Sequence, residues 1–449
     1  MRSRPLRFVD MFSGLGGFHV ALSRLGHECV FAAEIDPGLR DLYEQNFGLR
    51  PASDVRFCWK DVPPHDILCA GFPCQPFSKA GSQKGFECPD SGDLFDYILK
   101  VVDQHQPTFL LFENVPNILR HANGATWQRI QDSLRARNYA VECKEISPHE
   151  IGVPQIRYRA IIVAAKGELG TFRWPDIAGS TKKLHISSVL DRQPSDADRL
   201  PDQYVAYLNA WEDFLVRTKA VSNLPSFPIW AMEFGADYPL GARAPGSYSQ
   251  KYLARYRGAF GEKLSGKSTA DQRAALPSYV AAATEQLPRW KIRFIEQNRA
   301  FYTQNRDALE DWLPRIRSFP PSFQKFEWNW KDGSRTLWDK VVQFRASGIR
   351  VKNPSTSPSL VALTTSQVPV VAWECRYMTP LECARLQCLD TLPNLPDSKT
   401  RAFKALGNAV NAKVIGLVAM ELLSATGVSA FEAVTGAQRD QSVRRAATN

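Results

Sequence analysis

Long hydrophobic runs are missing from this chain. None reaches the roughly 18–20 residues that span a bilayer, so a membrane helix is not expected and no membrane partner is assigned. The first residues, MRSRPLRFVDMF, are basic but carry neither a long apolar segment nor a small-residue cleavage site. That pattern predicts a cytoplasmic protein without a signal peptide. Cysteine pairs are missing too. The nine cysteines are scattered and odd in number, which argues against a disulfide framework. Cys375, Cys383 and Cys388 lie close together, yet no CxxC pair or neighbouring histidine completes a zinc site, and no metal is expected. A GxGxxG run is also lacking, which disfavours a dinucleotide.

What remains is ordinary in bulk and uneven in charge. Of the 449 residues, 44% are hydrophobic and 23% charged, the balance of a globular protein long enough for two or three domains. The net charge is +10, and residues 171–370 hold nearly all of the excess. A polyanion is the natural partner of such a block; a solvated basic face is the alternative.

The first 165 residues alternate between strand and helix patterns. Arg7 to Phe12 reads as a strand, Ser13-Gly14-Leu15-Gly16-Gly17 as a glycine turn, and Phe18 to Leu25 as a helix. Such a strand–turn–helix can cradle a cofactor, because glycine allows tight turns and close backbone approach. A second strand, Glu28 to Ala33, ends in Glu34, an acid placed to accept hydrogen bonds from ribose hydroxyls. With no GxGxxG, an adenosine-bearing cofactor other than a dinucleotide is favoured. Asp61 follows a possible third strand end at Phe57 to Lys60.

The stretch Asp66 to Gly81, DILCAGFPCQPFSKAG, holds the main candidate. A short apolar strand breaks at Gly71-Phe72-Pro73, and Cys74 stands at the break between Pro73 and Pro76. Proline restricts both itself and the residue before it, so the thiol sits on a stiffened loop past a strand end. An α/β enzyme would put a nucleophile there; a small buried core residue is the alternative. Residues 81–93 read as a mobile loop, and Leu94 to His105 as a helix with its apolar positions on one face. The buried strand Phe109 to Phe112 is followed directly by Glu113, a carboxylate out of place in a core. A helix at 125–137 and a strand at 139–146 come next. In Gln155-Ile-Arg157-Tyr-Arg159, before the apolar strand Ala160 to Ala164, an extended backbone would turn Gln155, Arg157 and Arg159 to one side.

From about residue 170 the alternation ends. Aromatic and basic residues interleave, as in YSQKYLARYR (248–257) and Arg289-Trp-Lys-Ile-Arg293, a composition that suits a nucleic-acid surface or amphipathic helices with solvated faces. Residues 355–373 look like strands separated by turns. Thr379-Pro-Leu-Glu382 has the form of a capping box, and Gly407-Asn408-Ala409-Val410 is expected to open an apolar helix through Leu423.

Together, FVDMFSGLGG (8–17), GFPCQPFS (71–78), LLFENV (110–115), QIRYR (155–159), RYMTPLECARLQ (376–387) and GNAV (407–410) resemble the DNA (cytosine-5) methyltransferase family of bacterial restriction-modification type, in the family's order and spacing. The resemblance covers about 1–165 and 370–425. The one departure is Cys388-Leu389-Asp390, where relatives more often show glycine after LQ.

The resemblance implies an α/β fold, a Rossmann-like doubly wound sheet of the S-adenosylmethionine-dependent methyltransferase type, with a second, smaller, irregular DNA-recognition domain. It divides the chain into a catalytic domain (1–175), a target recognition domain (176–395) ending with RYMTPLECARLQ, a returning segment (396–430) and a flexible tail (431–449). Cys74 matches the nucleophile, and Glu113 the carboxyl group that engages cytosine ring nitrogen 3. Arg157 and Arg159 match the arginines that hold the base carbonyl and order the loop. The S-adenosylmethionine residues are Phe12, Gly14, Leu15, Gly16, Gly17, Glu34 and Ile35, with Asp61 on adenine and Pro73, Leu94, Asn408 and Val410 completing the pocket. The substrate is double-stranded DNA with the target cytosine flipped out, and segment 81–93 the closing lid. A cognate restriction endonuclease is an implied partner, and the enzyme is expected to act as a monomer. Thr364, Thr365 and Gln367 are expected in the DNA-reading surface. A catalytically silent DNA-binding paralogue and a tRNA enzyme are the alternatives; RNA-acting relatives carry a shorter insert.

Overall fold

The structure is a computed structural model and describes residues 4–73, 94–176, 184–219, 224–241, 243–328, 334–361 and 367–425. Two compact units emerge. The first comprises Met1–Leu190, Ser359–Thr364 and Pro380–Asn449, and the second Asp191–Pro358 and Thr365–Thr379.

The first unit is built on a six-stranded sheet in the order β2-β1-β3-β4-β6-β5. Its strands are β1 (Arg7–Met11), β2 (Glu28–Ala33), β3 (Ile67–Ala70), β4 (Phe109–Asn114), β5 (Tyr139–Ile146) and β6 (Arg159–Lys166). All four residues of β3 and the apolar run of β4 are buried on both faces, as a parallel strand covered by helices must be. Helices Leu94–His105 and Ala125–Arg135 supply the cover on this core through Ile98, Val101, Val102, Ile130 and Leu134. Strand order reverses beside β1, which has β2 on one side and β3 on the other, so the crevice of the sheet opens at the carboxyl ends of these strands. Strands β1 to β4 are parallel, whereas β6 runs antiparallel to β4 and to β5. The last helix, Ala412–Ala425, returns to pack on helix Gly17–Arg24.

Three local expectations are corrected. Residues 55–58 form a helical turn and not a strand end, because Asp54 accepts the Arg56 N–H and buries Val55 and Cys58 on one side. Gly407 and Asn408 end the helix Lys399–Asn408 instead of opening one; Asn411 caps the next helix, its side chain accepting the Val414 N–H at 3.0 Å. Of the strands expected over 355–373, only Val370–Val371 forms a strand among the described residues. The stretch Lys399–Ala425 is long and apolar enough to cross a bilayer by length and composition. It breaks at residues 409–411 and is mostly buried within the first unit.

The second unit has regular structure of its own. A six-stranded sheet in the order β12-β11-β9-β10-β8-β7 uses β7 (Ile229–Trp230), β8 (Lys325–Trp328), β9 (Val341–Arg345), β10 (Gly348–Lys352), β11 (Val370–Val371) and β12 (Arg376–Tyr377). Helix Asp202–Lys219 packs Trp211 flat on Phe326, ring centroids 4.6 Å apart. Much of the unit's aromatic content is core, with Trp211, Phe214, Phe234, Trp312 and Phe326 all fully buried, whereas in the segments expected at a nucleic-acid surface Trp290 is exposed and Tyr248, Tyr252 and Tyr256 are half-buried. The large apolar area of the buried ones is what holds a sheet of such short strands together.

Candidate functional site

The sequence motifs of the first unit meet in one cavity of about 400 Å³. The turn after β1 supplies Phe12, Ser13 and Gly14; the end of β2 leads to Glu34 and Ile35; the end of β3 leads to Pro73; and Glu113 is the penultimate residue of β4. Leu94, Asn408 and Val410 also line it. Leu15, Gly16 and Gly17 do not; they build the turn behind it, and a β-carbon on Gly17 would stand 2.6 Å from the Val410 carbonyl oxygen. Glycine at this position lets the first turn and the GNAV segment close on each other.

Glu34 is fixed by two backbone donors. The Gly14 N–H donates to one carboxylate oxygen and the Asp36 N–H to the other, each at 2.9 Å. Burial still raises its pKa above the usual carboxylate range, partly offset by those hydrogen bonds. Ser13 Oγ is buried in the same wall with no hydrogen-bond partner, while Ile35 is left 65% exposed. An unpaired hydroxyl, a pinned carboxylate and a bare apolar side chain form a wall that would match a ligand with a polar sugar and a flat ring.

Asp61 does not line the cavity. It lies exposed in the short turn Trp59–Asp61, and Asp54 lines the cavity instead. The reason is that the chain crosses beside Ala33 at Ala52 and reaches the cavity rim at 53–56, before the helical turn carries it outward. Asp54-Val55 and Asp61-Val62 are the same dipeptide, so motif spelling alone did not separate them. Ser13, Ala405, Gly407 and Ala409 are further lining residues that sequence reasoning missed.

Glu113 is buried in the sheet, opposite Ile161 of β6. Antiparallel pairing brings the start of β6 beside the end of β4, so Arg159 arrives next to Glu113, Nε to Oε1 at 2.9 Å. Burial raises the Glu113 pKa, and the positive charges of Arg159 and then Arg157 hold part of that rise back. The result is a carboxyl group that can hold a proton beside a fixed guanidinium, a combination suited to donating to a ring nitrogen.

Arg157 lines the same cavity but is committed to the backbone. Its Nη1 donates to the Leu360 carbonyl at 3.0 Å, and its Nη2 to Gly407 and Ala409 at 2.9 and 3.2 Å. It ties two separate segments, at Leu360 and at Gly407–Ala409, to its own. Gln155 lies outside the lining, fully buried with both amide atoms unpaired. Cys74 and the 81–93 loop lie outside the described residues, as do Thr364 and Thr365; Gln367 is described, and its carbonyl accepts from Gln343 Nε2 at 2.8 Å. Pro73 lines the cavity directly before Cys74, and Asn114 Nδ2 donates to the Phe72 carbonyl at 3.2 Å, tying that loop to the end of β4. No group of three or more His, Cys, Asp or Glu side chains arranged to hold a metal occurs among the described residues.

The chain is 31% identical over 475 residues to the Type II methyltransferase M.AluI of Cellulosimicrobium cellulans, spanning 91% of this chain and 90% of that one. It is 28% identical to M.BanI of Aneurinibacillus aneurinilyticus over 93% of this chain and 95% of the relative. A shorter match to M.HhaI of Haemophilus parahaemolyticus reaches 40% identity, over 38% of this chain and 53% of the relative. The sequence profile of the C-5 cytosine-specific DNA methylase family matches residues 6–424. The chain belongs to that family and is a DNA (cytosine-5) methyltransferase.

Proposed function

We propose that Cys74 is the nucleophile of this enzyme, adding to carbon 6 of a cytosine flipped out of duplex DNA, with Glu113 as the acid at ring nitrogen 3. The observation that carries the reading is the Glu113–Arg159 pair, 2.9 Å apart, on the wall of the cavity that Phe12, Gly14, Glu34 and Pro73 also line. Carbon 5 of cytosine is a weak nucleophile. Addition of a thiolate to carbon 6 makes it enamine-like, and a proton or hydrogen bond at nitrogen 3 favours that addition. Glu113, kept partly protonated by burial, provides it; Arg159 holds the carboxyl group in place and offsets negative charge building on the ring. Once carbon 5 carries the methyl group, loss of its proton breaks the carbon 6–sulfur bond and releases Cys74 as thiolate, and the nitrogen 3 proton returns to Glu113.

The family implies S-adenosylmethionine as methyl donor, and the wall residues fit it. Glu34 would accept from its ribose, Ile35 would cover its adenine, and Ser13 Oγ would find a partner. When bound, it supplies an electrophilic methyl group. Asp54 replaces Asp61 as the acid at the adenine end. Arg157 acts as a clamp that keeps Gly407 to Ala409 and Leu360 against the site. A thiol cannot reach carbon 6 within a stacked duplex, so the nucleotide must leave the helix. The relatives' designation as Type II methyltransferases supports a role in a restriction-modification system, in the cytoplasm and on DNA.

The test is a denaturation-resistant adduct with duplex DNA containing 5-fluorocytosine in the presence of S-adenosylmethionine. The wild-type protein should form it and Cys74→Ala should not; methyl transfer by the variant should fall at least ~10³-fold. Full turnover by Cys74→Ala would sink the covalent mechanism.

A further inference from the structure

Asp54, the acid assigned to the adenine end of the cavity, is already engaged by its neighbour. Its Oδ1 accepts the Arg56 backbone N–H at 2.9 Å and Nε–H at 3.1 Å. Its Oδ2 accepts Nε–H at 2.9 Å and Nη2–H at 2.6 Å. A carboxylate offers about four lone-pair sites, and these contacts occupy them. Glu34 on the same wall differs. It accepts one backbone N–H at each oxygen, both at 2.9 Å, and keeps lone pairs for sugar hydroxyls. One acid of the wall is open to a ligand, and the other is closed by an ion pair.

The backbone that carries Asp54 cannot give way, whereas the Arg56 side chain can. The Ala52 N–H donates to the Ala32 carbonyl at 2.8 Å, and the Ala52 carbonyl accepts the Glu34 N–H at 2.9 Å. Val55 is buried in the core of the first unit, and Asp54 caps the helical turn that Val55 begins. Asp54 is thus held between two fixed neighbours. Its side chain is 13% exposed and that of Arg56 35%, so the guanidinium has water to move into. Arg56 also lines the cavity, beside Asp54 and Ser53. Three acids line that cavity, and burial raises the pKa of Glu34 and Glu113. Only Asp54 is pushed the other way, first by its hydrogen bonds to the Arg56 side chain. It is the wall's firmly ionised acceptor, the kind an exocyclic amino group binds best.

We infer that Arg56 sets the affinity of the cofactor site by competing with the adenine amino group for the Asp54 carboxylate. The amino group is accepted only when the guanidinium gives up part of its fork. This rests on the placement of Asp54 at the adenine end. A ligand that carries the amino group meets the competition, and one that lacks it leaves the fork closed. An ion pair this exposed is weak, so the competition amounts to about 2- to 5-fold in affinity.

The experiment is calorimetry on the full chain with two ligands, S-adenosylhomocysteine and its analogue lacking the exocyclic amino group. Arg56→Ala and Arg56→Gln, the second keeping most of the stem, are compared with wild type. In both, the preference for the amino compound should rise about 2- to 5-fold, through tighter binding of that compound alone. A general change of the pocket alters both ligands and cancels in the preference. A gain in affinity also cannot come from a variant that fails to fold. An unchanged or reduced preference overturns the inference. Asp54→Ser, which keeps a cap for the helical turn, is then added to Arg56→Ala. The preference should vanish. If it persists, Asp54 is not at the amino group, and the competition falls with that placement. If it vanishes although Arg56→Ala alone gave no gain, the placement stands and the competition is refuted.

Discussion

The two units solve the placement of charge in opposite ways. Around the cavity of the first, ionisable groups sit at or beside strand ends and each is tied to a named partner: Glu34 to two N–H groups, Glu113 to Arg159, Arg157 to three carbonyls. In the second, Lys325, Arg345, Arg350 and Lys352 stand on β8 to β10 with Glu327 as the one carboxylate among them. The first arrangement uses burial to shift the proton affinity of one carboxyl group. In the second, burial and mutual repulsion lower the proton affinity of Arg345 and Lys352. Chemistry on a small ring needs the former, and the latter belongs to the positive excess that residues 171–370 carry.

The largest expected effect tests the first unit. Glu113→Gln should lower the methyl-transfer rate by about 10²- to 10⁴-fold, the usual contribution of a positioned acid, while leaving the salt slope of DNA binding unchanged. A change in slope would break the contrast between the units. The same variant sharpens the pH argument. Because the folded-state pKa of Glu113 is raised, the folded protein holds that proton more tightly than the unfolded chain. Its contribution to stability is fully present below the ordinary glutamate range and is lost as pH rises through the raised value. The melting temperature of Glu113→Gln relative to wild type should therefore increase as pH rises above the ordinary glutamate range. A flat or falling difference would show that the Arg159 pair outweighs burial.

In the second unit the aromatic core should dominate. Trp211 is fully buried, stacks on Phe326 and donates Nε1–H to the Phe323 carbonyl at 2.9 Å. Trp211→Ala should cost about 3–5 kcal/mol by denaturant titration. Since the first unit has its own core, S-adenosylmethionine binding by calorimetry should survive a loss of DNA affinity. Simultaneous loss of both would show that the units do not hold their folds separately. Arg157→Ala should cost about 3 kcal/mol, because a buried charged donor is removed from carbonyls that water does not reach. Arg157→Lys, with one point of attachment in place of a fork, should recover only part of it.

How much of this was legible before the structure depended on the kind of signal. Strands β2 and β5 and helix Leu94–His105 have the expected bounds, since apolar periodicity and glycine or proline punctuation set them locally. The cavity residues at strand ends were legible as motifs, except where one dipeptide occurs twice and the local turn decides between Asp54 and Asp61. What was not legible was non-local. Nothing in the Ala160–Ala164 pattern shows that β6 inserts antiparallel beside β4, yet that pairing is what brings Arg159 to Glu113. Composition in 200–330 shows that aromatics are abundant but not which of them are core: Trp211, Phe214 and Trp312 are buried, while Trp290 stays exposed and Tyr248, Tyr252 and Tyr256 half-buried, a division set by non-local packing.

The smallest effect concerns Asn114, which the LLFENV motif carried without a role. It ends β4 beside Glu113, and its side chain works in two directions. Oδ1 accepts the Val115 N–H at 2.9 Å, and Nδ2 donates to the Phe72 carbonyl at 3.2 Å. The Phe72 hydrogen bond is buried and the Val115 one partly so, and removing the side chain strands a carbonyl and an N–H; Asn114→Ala should cost about 1–2 kcal/mol. The hydrogen bond to Phe72 joins the strand that bears the acid to the loop that leads into Pro73 and Cys74. Positioning of the proposed nucleophile against the proposed acid should therefore suffer more than overall stability does. Stopped-time adduct formation with 5-fluorocytosine DNA should slow by about 10-fold or more, while S-adenosylmethionine affinity stays within about 2-fold, because Asn114 does not line the cavity. Asn114→Asp keeps the acceptor and loses the donor. If it forms the adduct at the wild-type rate, the Phe72 bond has no part in positioning Cys74, and Asn114 only closes the end of β4.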